Sequence, residues 1–483
     1  MNGLITLLAL LIGLFVLAFV PTLAAPYAAI YGPVTVYDCA RALVLCFLVA
    51  ASAALIIRRD RDHGSYILKL FALALLIRIV VGTAIFVFNG QDFFGGDALT
   101  YDFYGYQQLQ SWGGDKYAQL LVNQFVGPSM SSGWGMVYLV AALYGIVGRN
   151  MLAVQYFNAV IGAATAPIIY LCAWEVFNNR RVARLSAIAV AFYPSLVLWS
   201  SQGLKDGPIV FSLALCILAT LKLGKKFNAT HFGILVGGLF SVMALRFYVF
   251  YMILVAVGGA FIIGMRAVTA QSVARQAIIM MFLGLSLTYL GITRYANMQF
   301  EQYGTLESIQ RSRLDASTSA SSGFGKDVDV STTQGAISTI PIGLIYLLFA
   351  PFPWQLASLR QSLTVPEMVV WWAAFPFLVL GIWFAVKHRL RQMFPILIFT
   401  SMLSLAYSVF QGNVGTAYRQ RAQLLVFYFI FVAVGFVLLK ERREDKARRA
   451  EAERRALLQP PQPRWSVERT PQPATVSSEQ RMA

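Results

Sequence analysis

The sequence predicts an all-α polytopic membrane protein with about twelve transmembrane helices and two short re-entrant or interfacial helices. Three observations carry this reading. Of 483 residues, 58% are hydrophobic and only 13% charged, with a mean hydropathy of +0.63. Apolar runs of about 20 residues, the length that crosses a hydrocarbon core of about 30 Å, recur along the chain. Lys and Arg gather in alternate connections between the runs, following the positive-inside trend. A soluble fold with this much apolar surface would aggregate, and the strands of a membrane barrel would be shorter and alternating. The net charge of +17 therefore reads as topology and attraction to anionic membrane lipids, with no nucleic-acid partner.

The runs of crossing length are 3–22, 36–57, 66–88, 151–175, 184–201, 207–223, 229–246, 248–265, 273–293, 366–387, 393–410 and 422–440. The first follows Met1-Asn2-Gly3 without a basic leader or a clear cleavage site, and is expected to be a retained span. Two more runs, 134–148 and 338–352, have about 15 residues and would reach only about 22 Å as helix. Trp134, Tyr138 and Tyr144 give the former an interfacial character, and the latter breaks at Pro351-Phe352-Pro353-Trp354.

Twelve crossings with both termini in the cytoplasm place the basic clusters inside: Arg58-Arg59-Asp60-Arg61, Arg180-Arg181, Lys222 with Lys225-Lys226, Arg266 with Arg275, and Lys387-His388-Arg389-Leu390-Arg391. Counting the two short runs as crossings would throw several of these outside. The outer side then holds 89–150, 202–206, the neighbourhood of Arg246, 294–365 and 411–421. His63, His231 and His388 fall inside, so a histidine base is not expected at an outward site. Cys39, Cys46, Cys172 and Cys216 lie in or beside apolar runs, make no CxxC pair, and read as small core residues. From Lys440 to about Leu458 the chain mixes Arg, Lys and Glu with Ala, as in a charged helix near anionic lipid. Beyond Gln459 it is Pro-, Gln- and Ser-rich and reads as disordered. No internal repeat is visible.

The polar groups of the outer segments are the candidates for chemistry. Gly95-Gly96-Asp97-Ala98-Leu99-Thr100-Tyr101-Asp102 follows the third apolar run and opens an amphipathic segment through Trp112. A charge beside lipid is costly and tends to mark function. Asp97 is the candidate catalytic base, against the plainer reading of a helix cap. Asp102, five residues on, is either a second carboxylate for the acceptor or a divalent metal, or a solvated surface acid. Tyr101 between them would sit partly buried towards the acceptor. Asp92 and Asp115 read as ordinary loop acids. Lys205-Asp206 ends a span after Pro194-Ser195 and Trp199-Ser200-Ser201-Gln202. Its lysine suits a phosphate and its acid a sugar hydroxyl, the plainer reading being a local ion pair. Arg419 and Arg421 follow Gly412-Asn413-Val414-Gly415-Thr416-Ala417-Tyr418 at the mouth of the last span. Their donor forks suit phosphate oxygens, against snorkelling to headgroups. Arg246 and Arg360 are further candidates, for carrier phosphate and for the acceptor or a lid. Arg78, inside a span, either pairs with an acid or the carrier or bonds helix carbonyls. The polar stretch 293–338, with Ala316-Ser317-Thr318-Ser319-Ala320-Ser321-Ser322-Gly323 at its middle, reads as a lid or a disordered loop.

The chain resembles the GT-C superfamily of membrane glycosyltransferases, among them the protein mannosyltransferases and aminoarabinose transferases. The resemblance rests on Gly96-Asp97-Ala98 with Tyr101, on Leu143-Tyr144-Gly145-Ile146-Val147-Gly148-Arg149, on Asn158 in the next span, on Asn178-Asn179-Arg180-Arg181, and on Tyr193-Pro194 before Asp206. It covers roughly 66–225 in motif and the rest in layout. It implies a catalytic membrane domain over 66–440 with outer loops 89–150 and 294–365, preceded by extra helices in 1–65 and followed by a basic tail in 441–483. It implies Asp97 as the base on the acceptor, and Lys205, Arg419 and Arg421 on the phosphate of a polyprenyl-phosphate-linked sugar donor. It also implies an envelope polysaccharide, lipid or protein acceptor, and a bacterial inner-membrane location. The chain departs from the superfamily in its two extra spans, in a single Asp97 where an adjacent acidic pair is usual, and in having no large soluble domain after the spans. Two other activities fit parts of the same pattern. A polymerase or ligase of carrier-linked glycans would depend on the arginines and not on Asp97, and a flippase of lipid-linked sugars would want paired repeats and polar residues within the membrane.

Overall fold

The computed structural model describes residues 13, 15–24, 27, 32–60, 62–88, 93, 96–127, 133–263, 269–318, 322–325, 327–356 and 359–458. Most of the first apolar run, together with Gly95, Asp92, Arg61, Arg266 and the tail beyond Leu458, lies outside them. Among the described residues the regular structure is helical, with one isolated bridge between Gly323 and Asn413. In order, the helices are α1 (Val36–Arg58), α2 (Gly64–Val87), α3 (Asp97–Trp112), α4 (Lys116–Val126), α5 (Trp134–Val147), α6 (Met151–Phe177), α7 (Arg180–Phe192), α8 (Pro194–Ser200) and α9 (Asp206–Lys225). They continue as α10 (Ala229–Leu245), α11 (Phe247–Ile263), α12 (Ala270–Tyr289), α13 (Ile292–Tyr303), α14 (Leu306–Thr318), α15 (Thr333–Phe349), α16 (Val365–Phe410), α17 (Val414–Gln420) and α18 (Ala422–Leu458). Contacts divide the chain into a unit reaching Val437 and a second from Leu438.

Seven of these helices, α1, α2, α6, α9, α12, α16 and α18, are long and apolar enough to cross a membrane, or eight spans if α7 and α8 count as one. The expected twelve is not confirmed: most of the first run lies outside the described residues, and the other differences are local. Tyr193-Pro194 breaks the run 184–201 into α7 and α8, bent by 55°. The runs 229–246 and 248–265 become helices of 17 residues each, about 25 Å long at 1.5 Å per residue. The runs 366–387 and 393–410 form the two arms of α16, which is kinked where Arg389 leaves helical geometry (φ −137°, ψ 21°).

Helix boundaries follow local chemistry. Thr35 and Asp38 form a capping box at the start of α1. Asn178 ends α6 in the left-handed conformation, and Asn179 caps α7 by accepting from Arg181 and Val182 N–H at 2.8 and 3.2 Å. The pair Asn178-Asn179 is thus a stop followed by a start. The interior is built around α6, which packs on α1, α2, α7 and α9, while α9 also packs on α10. All four cysteines are free and buried, as small core residues should be.

Three buried arginines complete helix ends. Pro194 has no N–H for the Val190 carbonyl four residues before it. Arg78 reaches across from α2 to bond Val190 O (3.4 Å), Ala191 O (2.8 Å) and the Ser200 hydroxyl (2.8 Å). Of the two roles open to Arg78, the carbonyl-bonding one is what the fold uses. Arg313 of α14 donates to Val409 O and Gln411 O at 3.0 and 2.5 Å, closing the end of α16. Arg421 does the same for α15. The stretch 293–338 is therefore no structureless loop: α13 and α14 fill its first half, and Ser322–Phe324 pairs with Gly412–Val414 through bonds of 3.0 and 2.8 Å. Residues 319–321 of its Ser-rich middle lie outside the described residues.

Candidate functional site

Four chain segments meet where α3, α9 and α11 begin and α17 lies. Gly96, left-handed at φ 72°, turns the chain so that Asp97 is the first residue of α3. The Asp97 side chain caps nothing. It accepts from Arg419 Nη1 of α17 at 2.6 Å. The other edge of the same guanidinium, Nε and Nη2, grips Asp206 Oδ2 at 2.7 and 2.6 Å. Arg246, in the junction between α10 and α11, stands 3.7 Å from Asp206 Oδ1, with Tyr407 beside it. The Asp206 carboxylate is 2% exposed and that of Asp97 48%. One arginine thus ties a deep acid to a shallow one.

The loop carrying Lys205 and Asp206 is held from below. Asn158 of α6 donates to Gln202 O and Leu204 O at 2.7 and 2.8 Å, fixing the approach to α9. Half-buried Lys205 packs its ammonium over Gly133, where a Cβ would come within 2.8 Å of Nζ and 3.3 Å of the Tyr101 hydroxyl. With φ at 102° as well, only glycine suits that position. Trp199 of α8 presents its ring 5.7 Å from the Arg419 guanidinium carbon. A small cavity of about 20 Å³ is lined by Trp199, Ser200, Asp206, Thr165 and Arg78 among others.

The electrostatics follow from this crowding. Burial would lower Arg419, but Asp206 and then Asp97 outweigh it and hold the guanidinium firmly charged. Burial, and next the Arg246 guanidinium, bring Lys205 down to about 7. Burial raises Tyr101, and Asp97 adds to that, so its phenol stays neutral. With Lys205 protonated, three cations (Lys205, Arg246, Arg419) face two carboxylates (Asp97, Asp206), a net charge of +1. Buried Arg246 Nη1 and Asp206 Oδ1 have no hydrogen-bond partner among the described residues. A site with spare buried donors and a surplus cation is suited to an anion with hydroxyl neighbours.

Six of the residues singled out in the sequence therefore converge: Asp97, Tyr101, Lys205, Asp206, Arg246 and Arg419. Three do not. Asp102 is five residues from Asp97, about 140° around the helix axis, so the two acids face apart. It accepts from the Tyr144 hydroxyl and, at 2.6 Å, from Arg149 Nη2, tying α3 to α5. Both its oxygens are engaged, so a metal held between Asp97 and Asp102 does not fit. Among the described residues no group of three His, Cys, Asp or Glu could hold a metal ion. Arg421 is fully buried and donates from Nη1 to Leu347, Leu348 and Ala350 carbonyls at 3.4, 3.1 and 3.1 Å, with Nη2 on Met368 Sδ at 2.9 Å. Its retention answers to the open end of α15, not to a phosphate. Arg360 lies over the Phe93 ring at 5.1 Å. Asp115 caps α4. No histidine enters the cluster; His63 sits between the rings of Tyr170 and Trp174.

Sequence reasoning missed Trp199, Tyr407 and Gly133 as parts of the site. Trp199 had a signal in its place just before the Lys205-Asp206 turn, whereas Tyr407 and Gly133 had none. No family model matches the chain, and no curated protein or solved structure is found similar to it.

Proposed function

We propose that this protein is a membrane glycosyltransferase of the GT-C kind. It moves a sugar from a polyprenyl-phosphate carrier to an envelope polysaccharide, lipid or protein at the outer face of a bacterial inner membrane. The observation that carries the reading is the shallow carboxylate of Asp97 set against three cations at the mouth of a set of apolar helices. Such a transfer needs a base on the acceptor and positive charge on the leaving phosphate. The acceptor hydroxyl gives its proton to Asp97 while its oxygen bonds to the anomeric carbon. The bond from that carbon to the phosphate oxygen breaks, and the electron pair leaves with the carrier phosphate. Lys205 and Arg246 meet the charge that develops there, and Asp206 is placed to accept from a sugar hydroxyl. A phosphodiester carries one negative charge, which balances the surplus of the cluster. Arg421 spends its guanidinium on helix carbonyls, so the phosphate role expected of it passes to Lys205 and Arg246.

The reading makes a pH prediction. An anion favours the ammonium form, so Lys205, near 7 when the site is free, rises on binding. Affinity for a polyprenyl phosphohexose, a diester of fixed charge, is then flat below about pH 7 and falls above it by up to tenfold per pH unit. Titration of the purified protein in nanodiscs measures this, and Lys205→Gln should flatten the profile. The function itself is tested in a deletion strain complemented with the wild-type gene. Deletion should remove one sugar decoration from the envelope and accumulate its polyprenyl-phosphate donor. An unchanged donor pool and an unchanged surface glycan profile would sink the proposal.

A further inference from the structure

The Arg419 fork points to a control that the transfer reaction alone does not require. We infer that Arg419 is a latch on Asp97: it occupies the base in the free protein and releases it when the carrier phosphate arrives. The inference rests on the proposed transferase and adds an order of events to it.

The geometry supplies the asymmetry a latch needs. Arg419 Nε and Nη2 hold Asp206, which is buried and backed by Arg246. Nη1 holds Asp97, whose carboxylate is half-exposed and has solvent to replace the bond. Half-exposed ion pairs are worth little to stability, and buried ones are expensive to break. An incoming phosphate therefore competes for the Asp97 side of the fork and leaves the Asp206 side in place. Lys205 and Arg246 Nη1 stand in the same cluster to seat that phosphate. While the latch is closed, Asp97 Oδ2 is already engaged by Arg419 Nη1 and is not open to the acceptor hydroxyl. Opening it only when donor is bound would keep the base idle in the empty enzyme and set a donor-first order. Arg419 is on this view a positioning residue for the base, and the phosphate is seated mainly by Lys205 and Arg246.

A double-mutant cycle on polyprenyl phosphate binding, in nanodiscs at pH 7, tests this without any turnover. Asp97→Asn weakens the competitor for Nη1 from a carboxylate to a neutral amide oxygen and should tighten binding about three- to tenfold, the worth of the charge assistance on one partly exposed hydrogen bond. In an Arg419→Gln background the same Asp97→Asn change should alter affinity less than about twofold, because there is no fork to release. Equal tightening in both backgrounds would mean simple loss of a negative charge, and the latch would be overturned. No tightening in the background that keeps Arg419 would overturn it as well. If Arg419→Gln does not yield monodisperse protein, Arg419→Lys takes its place, keeping the charge beside Asp206 without the fork, with the same outcomes expected. Absence of saturable binding by the wild type would remove the carrier reading and the latch together, whereas failure of the latch alone leaves wild-type binding intact.

Discussion

If the proposed transfer is the reaction, Asp97→Asn should lower it by about 10²- to 10⁴-fold, the range that a positioned general base contributes. The substitution keeps the size of the side chain and its place at the first turn of α3, so the fold survives. The amide oxygen can still accept from Arg419 Nη1, as the carboxylate does at 2.6 Å, but it cannot take the acceptor proton. The loss should therefore fall on kcat. The KM for the polyprenyl-phosphate donor should drop, since Arg419 Nη1 is more readily released to the phosphate. Initial rates in proteoliposomes with radiolabelled donor separate the two constants. A full rate with the asparagine variant would take Asp97 out of the chemistry and move the weight to an arginine-centred polymerase.

The second large effect is on stability. Asp206→Ala should cost about 3–5 kcal/mol, because two arginines would stay buried without their counter-ion. The Asp206 carboxylate is 2% exposed, with Arg419 at 2.6 Å and Arg246 at 3.7 Å. Loss of that acid exposes no compensating group, since the nearest carboxylate, Asp97, already shares Arg419. The variant should accumulate poorly and melt well below the wild type in detergent, as read by tryptophan fluorescence. Melting within a degree of the wild type would show that the cluster relaxes, and that its charges are better solvated than their burial implies.

The apolar segments were legible because membrane crossing imposes a length and a composition that nothing else mimics. The breaks within them were less so. Pro194 marks the bend between α7 and α8, and the basic run Lys387-His388-Arg389-Leu390-Arg391, read as a loop between two spans, is a kink within α16. At the site, charge near an apolar boundary was enough to pick out Asp97, Lys205, Asp206, Arg246 and Arg419. The same rule misjudged Arg421 and left Arg78 undecided. An arginine that closes an open helix end and one that binds a ligand both stand out as costly charges near lipid, and only the positions of their acceptors separate them. Asp102 failed for a geometric reason: spacing in sequence became spacing around an axis once the segment folded as helix.

The fork of Arg419 joins residues made far apart in time. Their common partner is made 213 residues after Asp206 and 322 after Asp97. At about 5–20 residues per second, Asp206 waits roughly 10 to 45 seconds for Arg419. Arg246 follows it by only 40 residues in the chain, and is the cation available to Asp206 in that interval. The cluster thus stays unlatched throughout insertion and closes near its end, so a chain interrupted before α17 carries Asp97 and Asp206 without the guanidinium that joins them.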